Sequence, residues 1–159
     1  MPIELYVLLP SSNTPKHEEW QVAIDRLKLP LNFIELVDLH SVNLLQISID
    51  NRNIDIHFHV LDQTKLTAEF EDTFRTFFSE KKLSDFVVYS LGYGDDLYES
   101  AAAFYSAAAL VGKFDGIAME PEGDFPVGFD SLIETAKLVF SLDSRGFDPS
   151  KIDTRGSIQ

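Results

Sequence analysis

Carboxylates supply the chemistry that this sequence offers most clearly. Residues 83–136 contain ten acids and a single base, Lys113, in a chain of 159 residues with a formal net charge of −13. The acids are Asp85, Asp95, Asp96, Glu99, Asp115, Glu120, Glu122, Asp124, Asp130 and Glu134. Clustered carboxylates hold hard cations, stabilise helix N-termini and attract basic proteins, whereas they repel nucleic acid and anionic membranes. The charge distribution therefore predicts a basic partner and disfavours nucleic acid.

Six of these acids follow two predicted strands. Three come after the strand at Asp85–Leu91, and three come after the strand at Gly116–Met119. The six are Asp95, Asp96, Glu99, Glu120, Glu122 and Asp124, which we call the acidic rim. If the two strands run parallel and the helix between them crosses over, both loops emerge at one end of the sheet.

Three interpretations of the acidic rim are open. It is a platform for a basic protein, or a Mg²⁺ or Ca²⁺ site, or a pair of solvated loops. In the third case Asp95 and Asp96 stabilise the N-terminus of the following helix. The loops lack the spacing of an EF-hand, and hardly any bases accompany them, so the platform is the interpretation we favour.

A second group of polar residues alternates along one predicted strand. Asp55, His57 and His59 share a strand face, and an H-x-H pair supplies two imidazoles to Zn²⁺, with a carboxylate as a third ligand. A further ligand has to come from elsewhere in the chain, for example His40. The alternative is that these residues are solvated on the open face of the sheet. We expect the alternative, with no metal and no cofactor.

Other catalytic chemistry finds little support in the sequence. The chain has no cysteine, and the G-x-S-x-G pattern is absent. Gly92-Tyr93-Gly94 precedes a helix, but it lacks a phosphate-binding pattern and two aspartates follow it. Lys81-Lys82 is the only adjacent basic pair, too little for a nucleic-acid surface. We therefore predict that the protein is not an enzyme.

A β-hairpin is the clearest local element. Asn43–Asp50 and Asn53–Leu61 alternate apolar and polar residues and are predicted to pair around Asn51-Arg52. This register places Ile49 opposite Ile54. One face of the hairpin is then apolar and the other is polar and solvent-exposed, which is typical of an antiparallel sheet covered by helices on one side.

Helices are predicted on either side of the strand at Asp85–Leu91. Thr64–Lys82 is amphipathic and directs Phe77 inward with other aromatic residues. Leu97–Val111 is rich in alanine and has little polar surface, so we expect it to lie close to the sheet. Gly112 is its predicted C-cap. The Ala-rich helix is also a candidate dimer contact.

The predicted fold is α+β, or mixed α/β. We expect a two-layer sandwich with a predominantly antiparallel sheet, a central hairpin and helices mainly on one face. We predict that residues 1–142 form a single domain and that residues 143–159 form a poorly ordered C-terminal tail. The N-terminus makes a poor signal peptide, and no apolar stretch is long enough to span a bilayer, so we expect a cytoplasmic protein.

Ala101–Phe125 resembles part of the small bacterial immunity proteins of polymorphic and contact-dependent toxin systems. Its sequence is AAAFYSAAALVGKFDGIAMEPEGDF, in which an Ala-rich helix leads through a Gly-containing turn to a short strand and an acidic E-P-x-G loop. The resemblance implies a cytoplasmic, acidic protein without enzymatic activity, which binds a cognate toxin domain and blocks its active site.

These observations lead to one expectation and two alternatives. We expect an immunity protein that is a monomer or homodimer and binds a basic toxin domain through the acidic rim. One alternative is a metal-dependent enzyme that uses His57, His59 and Asp55. The other is a non-catalytic scaffold subunit that dimerises through the Ala-rich helix.

Overall fold

The predicted α+β class is confirmed by the computed structural model, which describes residues 3–61, 66–120 and 126–144. The strands are β1 (Ile3–Pro10), β2 (Leu31–Phe33), β3 (Leu44–Ile49), β4 (Arg52–Leu61), β5 (Phe86–Tyr93), β6 (Ile117–Met119) and β7 (Pro126–Val127). The helices are α1 (His17–Arg26), α2 (Ala68–Phe77), α3 (Leu97–Lys113) and α4 (Phe129–Ser144). No helix among these residues has the length and apolar character needed to cross a membrane.

The seven strands form one sheet in the order β2-β3-β4-β5-β1-β6-β7, and each neighbouring pair is antiparallel. β1 therefore lies between β5 and β6, which both run opposite to it and so share one direction. The helix α3 connects β5 to β6 across β1. This crossover brings the C-terminal ends of β5 and β6 to the same edge of the sheet.

Both faces of the sheet carry apolar side chains, because strand residues alternate between the faces. Val7 and Leu9 on β1 belong to the larger core, which α1, α3 and α4 complete. Leu8 points to the opposite face and joins a smaller core with Phe70 and Phe74 of α2. Three of the four helices thus contribute to the core on one face of the sheet, and α2 covers part of the other.

α3 is the central helix of the larger core. It contacts α1, α4 and five strands of the sheet. Its alanines allow this close approach and are completely buried: Ala101, Ala102, Ala103, Ala107, Ala108 and Ala109. Because the fold of one chain already covers these alanines, they offer no surface for the dimer contact considered from the sequence.

The register of the central hairpin differs from the prediction by two residues. Ile47, not Ile49, lies opposite Ile54, and the turn is made by Asp50-Asn51 instead of Asn51-Arg52. Asp50 and Asn51 have φ values of 50° and 62°. Two positive φ angles define the tight turn that fits the strand twist, and Asp and Asn adopt them more easily than Arg. A shift of two residues leaves each side chain on its predicted face.

Two predicted helix features are also wrong. Phe77 is 47% exposed, because α2 ends there and its ring lies outside the smaller core. Gly112 is not a C-cap. It lies within α3, where a Cβ would be 3.0 Å from the ring of Phe129 on α4. The helix ends one residue later, and Asp115, with φ of 56°, makes the left-handed turn that follows it.

α1 is fixed to the core by Trp20, which is fully buried. Its Nε1 donates a hydrogen bond of 3.0 Å to the backbone oxygen of Ser106 on α3. The indole ring also packs against Phe33, Phe58 and Tyr89, with ring centroids 5.0 to 6.2 Å apart. This cluster joins α1, α3 and three strands.

Candidate functional site

The described part of the acidic rim lies at the edge of the sheet where β5 and β6 end. Tyr93, the last residue of β5, pairs with Ile3, and Met119, the last residue of β6, pairs with Tyr6. β5 therefore ends opposite the first residue of β1, and β6 ends opposite its fourth residue. Asp95, Asp96 and Glu99 follow β5, and Glu120 follows β6. Glu122 and Asp124 lie outside the described residues.

Asp96 has a structural role besides its charge. It is the N-cap of α3, and its Oδ1 accepts hydrogen bonds from the backbone N–H groups of Tyr98, at 2.7 Å, and Glu99, at 3.3 Å. A carboxylate in this position also interacts favourably with the helix dipole. Asp95 is exposed and is not the N-cap. The two adjacent aspartates thus differ in what they contribute to folding.

Glu99 connects the rim with the neighbouring strand β4. Its Oε2 lies 3.9 Å from the position that a Cβ on Gly94 would take, so the carboxylate turns back over the loop. Partial burial raises the pKa of Glu99, and the charges of Asp96, Asp55 and Asp95 raise it further. His57 acts in the opposite direction. Asp55 and His57 therefore belong to the same electrostatic environment as the rim.

The tip of the β3–β4 hairpin packs on the first turn of α3. The guanidinium carbon of Arg52 lies 4.2 Å above the centre of the Tyr98 ring, within the range of a cation–π interaction. The Tyr98 hydroxyl donates a hydrogen bond of 3.5 Å to Oδ2 of Asp50. These contacts hold the hairpin tip, with its own acid Asp50, beside the acids at the start of α3.

The acid after β6 also lies close to β5. Burial raises the pKa of Tyr93 to about 12, and the charge of Glu120 adds to the effect. Such an interaction requires proximity, since water screens charges that are far apart. The loop ends after β5 and after β6 thus share one electrostatic environment, as their common edge requires.

Among the described residues, the acids of this edge form no ion pair with a lysine or arginine, although Arg52 lies nearby on the ring of Tyr98. Over residues 3–61, 66–120 and 126–144, the only Lys or Arg ion pair within 4.0 Å joins Arg75 to Asp72, both on α2. Asp95, Asp96 and Glu120 are exposed, and Glu99 is half-buried. Because these acids outnumber Arg52, the edge presents net negative charge to solvent.

The histidines of β4 are placed on the predicted face. Asp55, His57 and His59 are exposed, and His57 lies opposite Leu44 on one side and Gly92 on the other. Neither neighbour is a metal ligand. Among the described residues, no group of three or more His, Cys, Asp or Glu side chains is arranged to hold a metal ion.

Two groups of residues considered separately in the sequence therefore meet in the structure. The rim acids at the start of α3 and the polar face of β4 adjoin because β4 pairs with β5. No motif indicated that pairing, so Asp50, Asp55 and His57 were not predicted as part of the rim. His17, a buried residue that lines a cavity of about 500 Å³, also escaped prediction.

Three comparisons with known proteins identified no relative of this chain. A scan against protein-family models found no match, and searches of curated proteins and of solved structures found none either.

Proposed function

We propose that this protein is a protein-binding module whose acidic edge engages a basic partner. The observation that carries the proposal is the meeting of acids from separate segments at one sheet edge, where none of them forms an ion pair with a lysine or arginine among the described residues. Acids come from the hairpin, from the loop and first turn after β5, and from the residue after β6.

The energetics of the edge support a binding role. Partial burial of Glu99, and after it the neighbouring carboxylates, disfavour its ionised form and raise its pKa. The cap of α3 accounts for Asp96, but it gives no structural reason for the exposed Asp95 or for Glu120 after β6. A basic partner supplies the missing positive charge, and complementary charge accelerates association and selects the correct partner.

We further propose that the partner is a toxin domain and that the protein acts as its immunity protein. The resemblance of Ala101–Phe125 to such proteins motivates this finer statement. Toxins that act on nucleic acids need basic clefts, and carboxylates on a rigid edge mimic the phosphates that such a cleft binds.

The experiment uses the protein encoded by the reading frame directly upstream of the gene for this chain, which the proposal expects to carry a toxin domain. One variant combines Asp95→Lys, Asp96→Asn, Glu99→Gln and Glu120→Lys. The Asn and Gln substitutions remove charge while Asn keeps the oxygen that caps α3. We expect calorimetry at about 0.15 M salt to show at least tenfold weaker binding and cells to lose protection.

The matched control changes the net charge by the same amount. Its substitutions lie in and after α2, which packs on the sheet face opposite to α3. It combines Glu69→Lys, Glu71→Gln, Asp72→Asn and Glu80→Lys, in and after α2. The control is expected to bind and protect like the unaltered protein. If the rim variant binds as tightly as the unaltered protein, the rim is not the binding surface. The same conclusion follows if the control variant loses as much affinity as the rim variant. An unaltered protein that neither binds nor protects against the adjacent product contradicts the immunity function.

A further inference from the structure

A groove of about 380 Å³ runs along the outer side of α1. It is lined by Glu18, Glu19, Val22, Ala23, Arg26, Lys113 and Phe114. The C-terminal ends of α1 and α3 are neighbours, because Leu27 Cδ1 lies 3.8 Å from the position of a Cβ on Gly112. Arg26 and Lys113 therefore lie at the same end of the groove.

The groove has opposite charges at its two ends. Glu18 and Glu19 lie where α1 begins, and Arg26 and Lys113 lie where it ends. Between them, Val22 is 45% exposed and presents its apolar side chain at the middle of the groove. None of the four charged residues has an ion-pair partner within 4.0 Å among the residues that the structure describes.

We propose that a second copy of this chain occupies the groove and forms a two-fold symmetric dimer, with the two α1 helices antiparallel. Glu18 and Arg26 lie four residues before and after Val22, which is about 6 Å along the helix in each direction. A two-fold axis at Val22 therefore places the acidic end of one protomer against the basic end of its partner. The surface is self-complementary in charge.

The same pattern argues against other occupants. A basic segment meets repulsion at Arg26 and Lys113, and an anionic ligand meets it at Glu18 and Glu19. A second copy carries both signs in the required order and brings an exposed Val22 of its own. Stable dimers bury about 800 Å² on each partner, more than one face of a ten-residue helix offers. The dimer is therefore a weak, concentration-dependent one.

The test is a charge exchange between two variants. The first is Glu18→Lys/Glu19→Gln, in which Gln keeps the oxygen that accepts the Lys16 backbone N–H at 2.9 Å. The second is Arg26→Glu/Lys113→Glu. Sedimentation equilibrium and native mass spectrometry are expected to show at least tenfold weaker self-association for each variant alone. An equimolar mixture is expected to form a heterodimer, because the two altered grooves are complementary.

The control variant is Glu69→Lys/Asp72→Asn on α2, which changes the net charge as the first variant does. It is expected to dimerise at least as well as the unaltered chain, because it too lowers the overall repulsion. Circular dichroism checks that each variant folds. A chain that remains monomeric at about 1 mM overturns the proposal. So does a dimer that neither variant weakens, or a mixture that fails to form heterodimers.

Discussion

The backbone N–H of Val37 donates a hydrogen bond of 3.0 Å to Nδ1 of His17, which is 3% exposed. This bond joins the first residue of α1 to the loop between β2 and β3. The ring also packs edge-on against Phe33, with centroids 4.1 Å apart. Because Nδ1 accepts a hydrogen bond, the imidazole is neutral and carries its proton on Nε2.

The first prediction concerns acid stability. Burial lowers the pKa of His17 to about 4, from 6.5 in the unfolded chain. Between these values the unfolded chain binds the proton and the folded chain does not. The contribution of neutral His17 to the free energy of unfolding is therefore fully present above pH 6.5 and is lost as the pH falls to about 4. The shift corresponds to a loss on the order of 3 kcal/mol. Urea unfolding at several pH values measures it.

Two variants separate His17 from the carboxylates that also titrate in acid. His17→Phe removes the titrating group and is expected to flatten the stability profile between pH 6.5 and 4. His59→Gln removes an exposed histidine and is expected to leave the profile unchanged. A profile that His17→Phe does not alter excludes His17 as its cause.

The second prediction separates the two adjacent aspartates of the rim. Asp96→Ala removes both cap hydrogen bonds of α3 and is expected to lower the free energy of unfolding by about 1 kcal/mol. Asp95→Ala is expected to change it by less than about 0.5 kcal/mol. Denaturant unfolding of both variants tests the difference. Equal losses show that the cap does not account for the effect of Asp96.

The third prediction is that Glu99→Gln stabilises the fold while it weakens partner binding. The raised pKa means that ionisation of Glu99 costs the folded state free energy at neutral pH, and Gln removes that cost. The midpoint of urea unfolding at pH 7 is expected to rise, and at pH 3 the gain is expected to disappear because Glu99 is then protonated. A lower midpoint at pH 7 argues against like-charge repulsion at this site.

The fourth prediction uses the hairpin turn. Asn51 has φ of 62°, so Asn51→Gly is expected to stabilise the protein by about 0.5 kcal/mol because Asp-Gly suits this turn better than Asp-Asn. Asn51→Ala is expected to destabilise it, since Ala tolerates positive φ poorly. Thermal unfolding of the pair gives the order. The reverse order argues that Asn51 makes a favourable contact beyond the turn itself.

The fifth prediction concerns Gly116, which follows α3. A Cβ at this position lies 3.0 Å from the backbone oxygen of Leu110, which cannot move without disturbing the helix end. Gly116→Ala is expected to cost about 1 to 3 kcal/mol. Gly94→Ala serves as the control, because the nearest atom to a Cβ there is the Oε2 of Glu99 at 3.9 Å, an ordinary contact distance. Equal unfolding midpoints for the two variants exclude the steric explanation.

Local patterns predicted the elements of the fold better than their ends and pairings. The hairpin strands and their faces were predicted correctly because alternation determines both. The register depended on which two residues accept positive φ, and apolar matching alone did not distinguish Asp50-Asn51 from Asn51-Arg52. The C-terminal end of α3 was misplaced because Gly112 is required for packing against Phe129 and not for a turn.

The candidate site was predictable only in part for the same reason. The strand–helix–strand order indicated that the residues after β5 and β6 share an edge, even though β1 lies between those strands. The contribution of Asp55 and His57 depends on the pairing of β4 with β5, which is non-local. The burial of His17 likewise depends on the loop that contains Val37, twenty residues later in the chain. That loop has no hydrophobic periodicity from which the contact could be predicted.

The central position of β1 has a consequence for how the chain folds during synthesis. Val7 pairs with both Tyr89 and Ala118, so β1 leaves the ribosome long before either neighbour exists. Until then its edges and apolar side chains lack their native cover, a state prone to aggregation. Pairings so distant in sequence also slow folding. We therefore expect nascent chains that end before β6 to depend on chaperones for solubility.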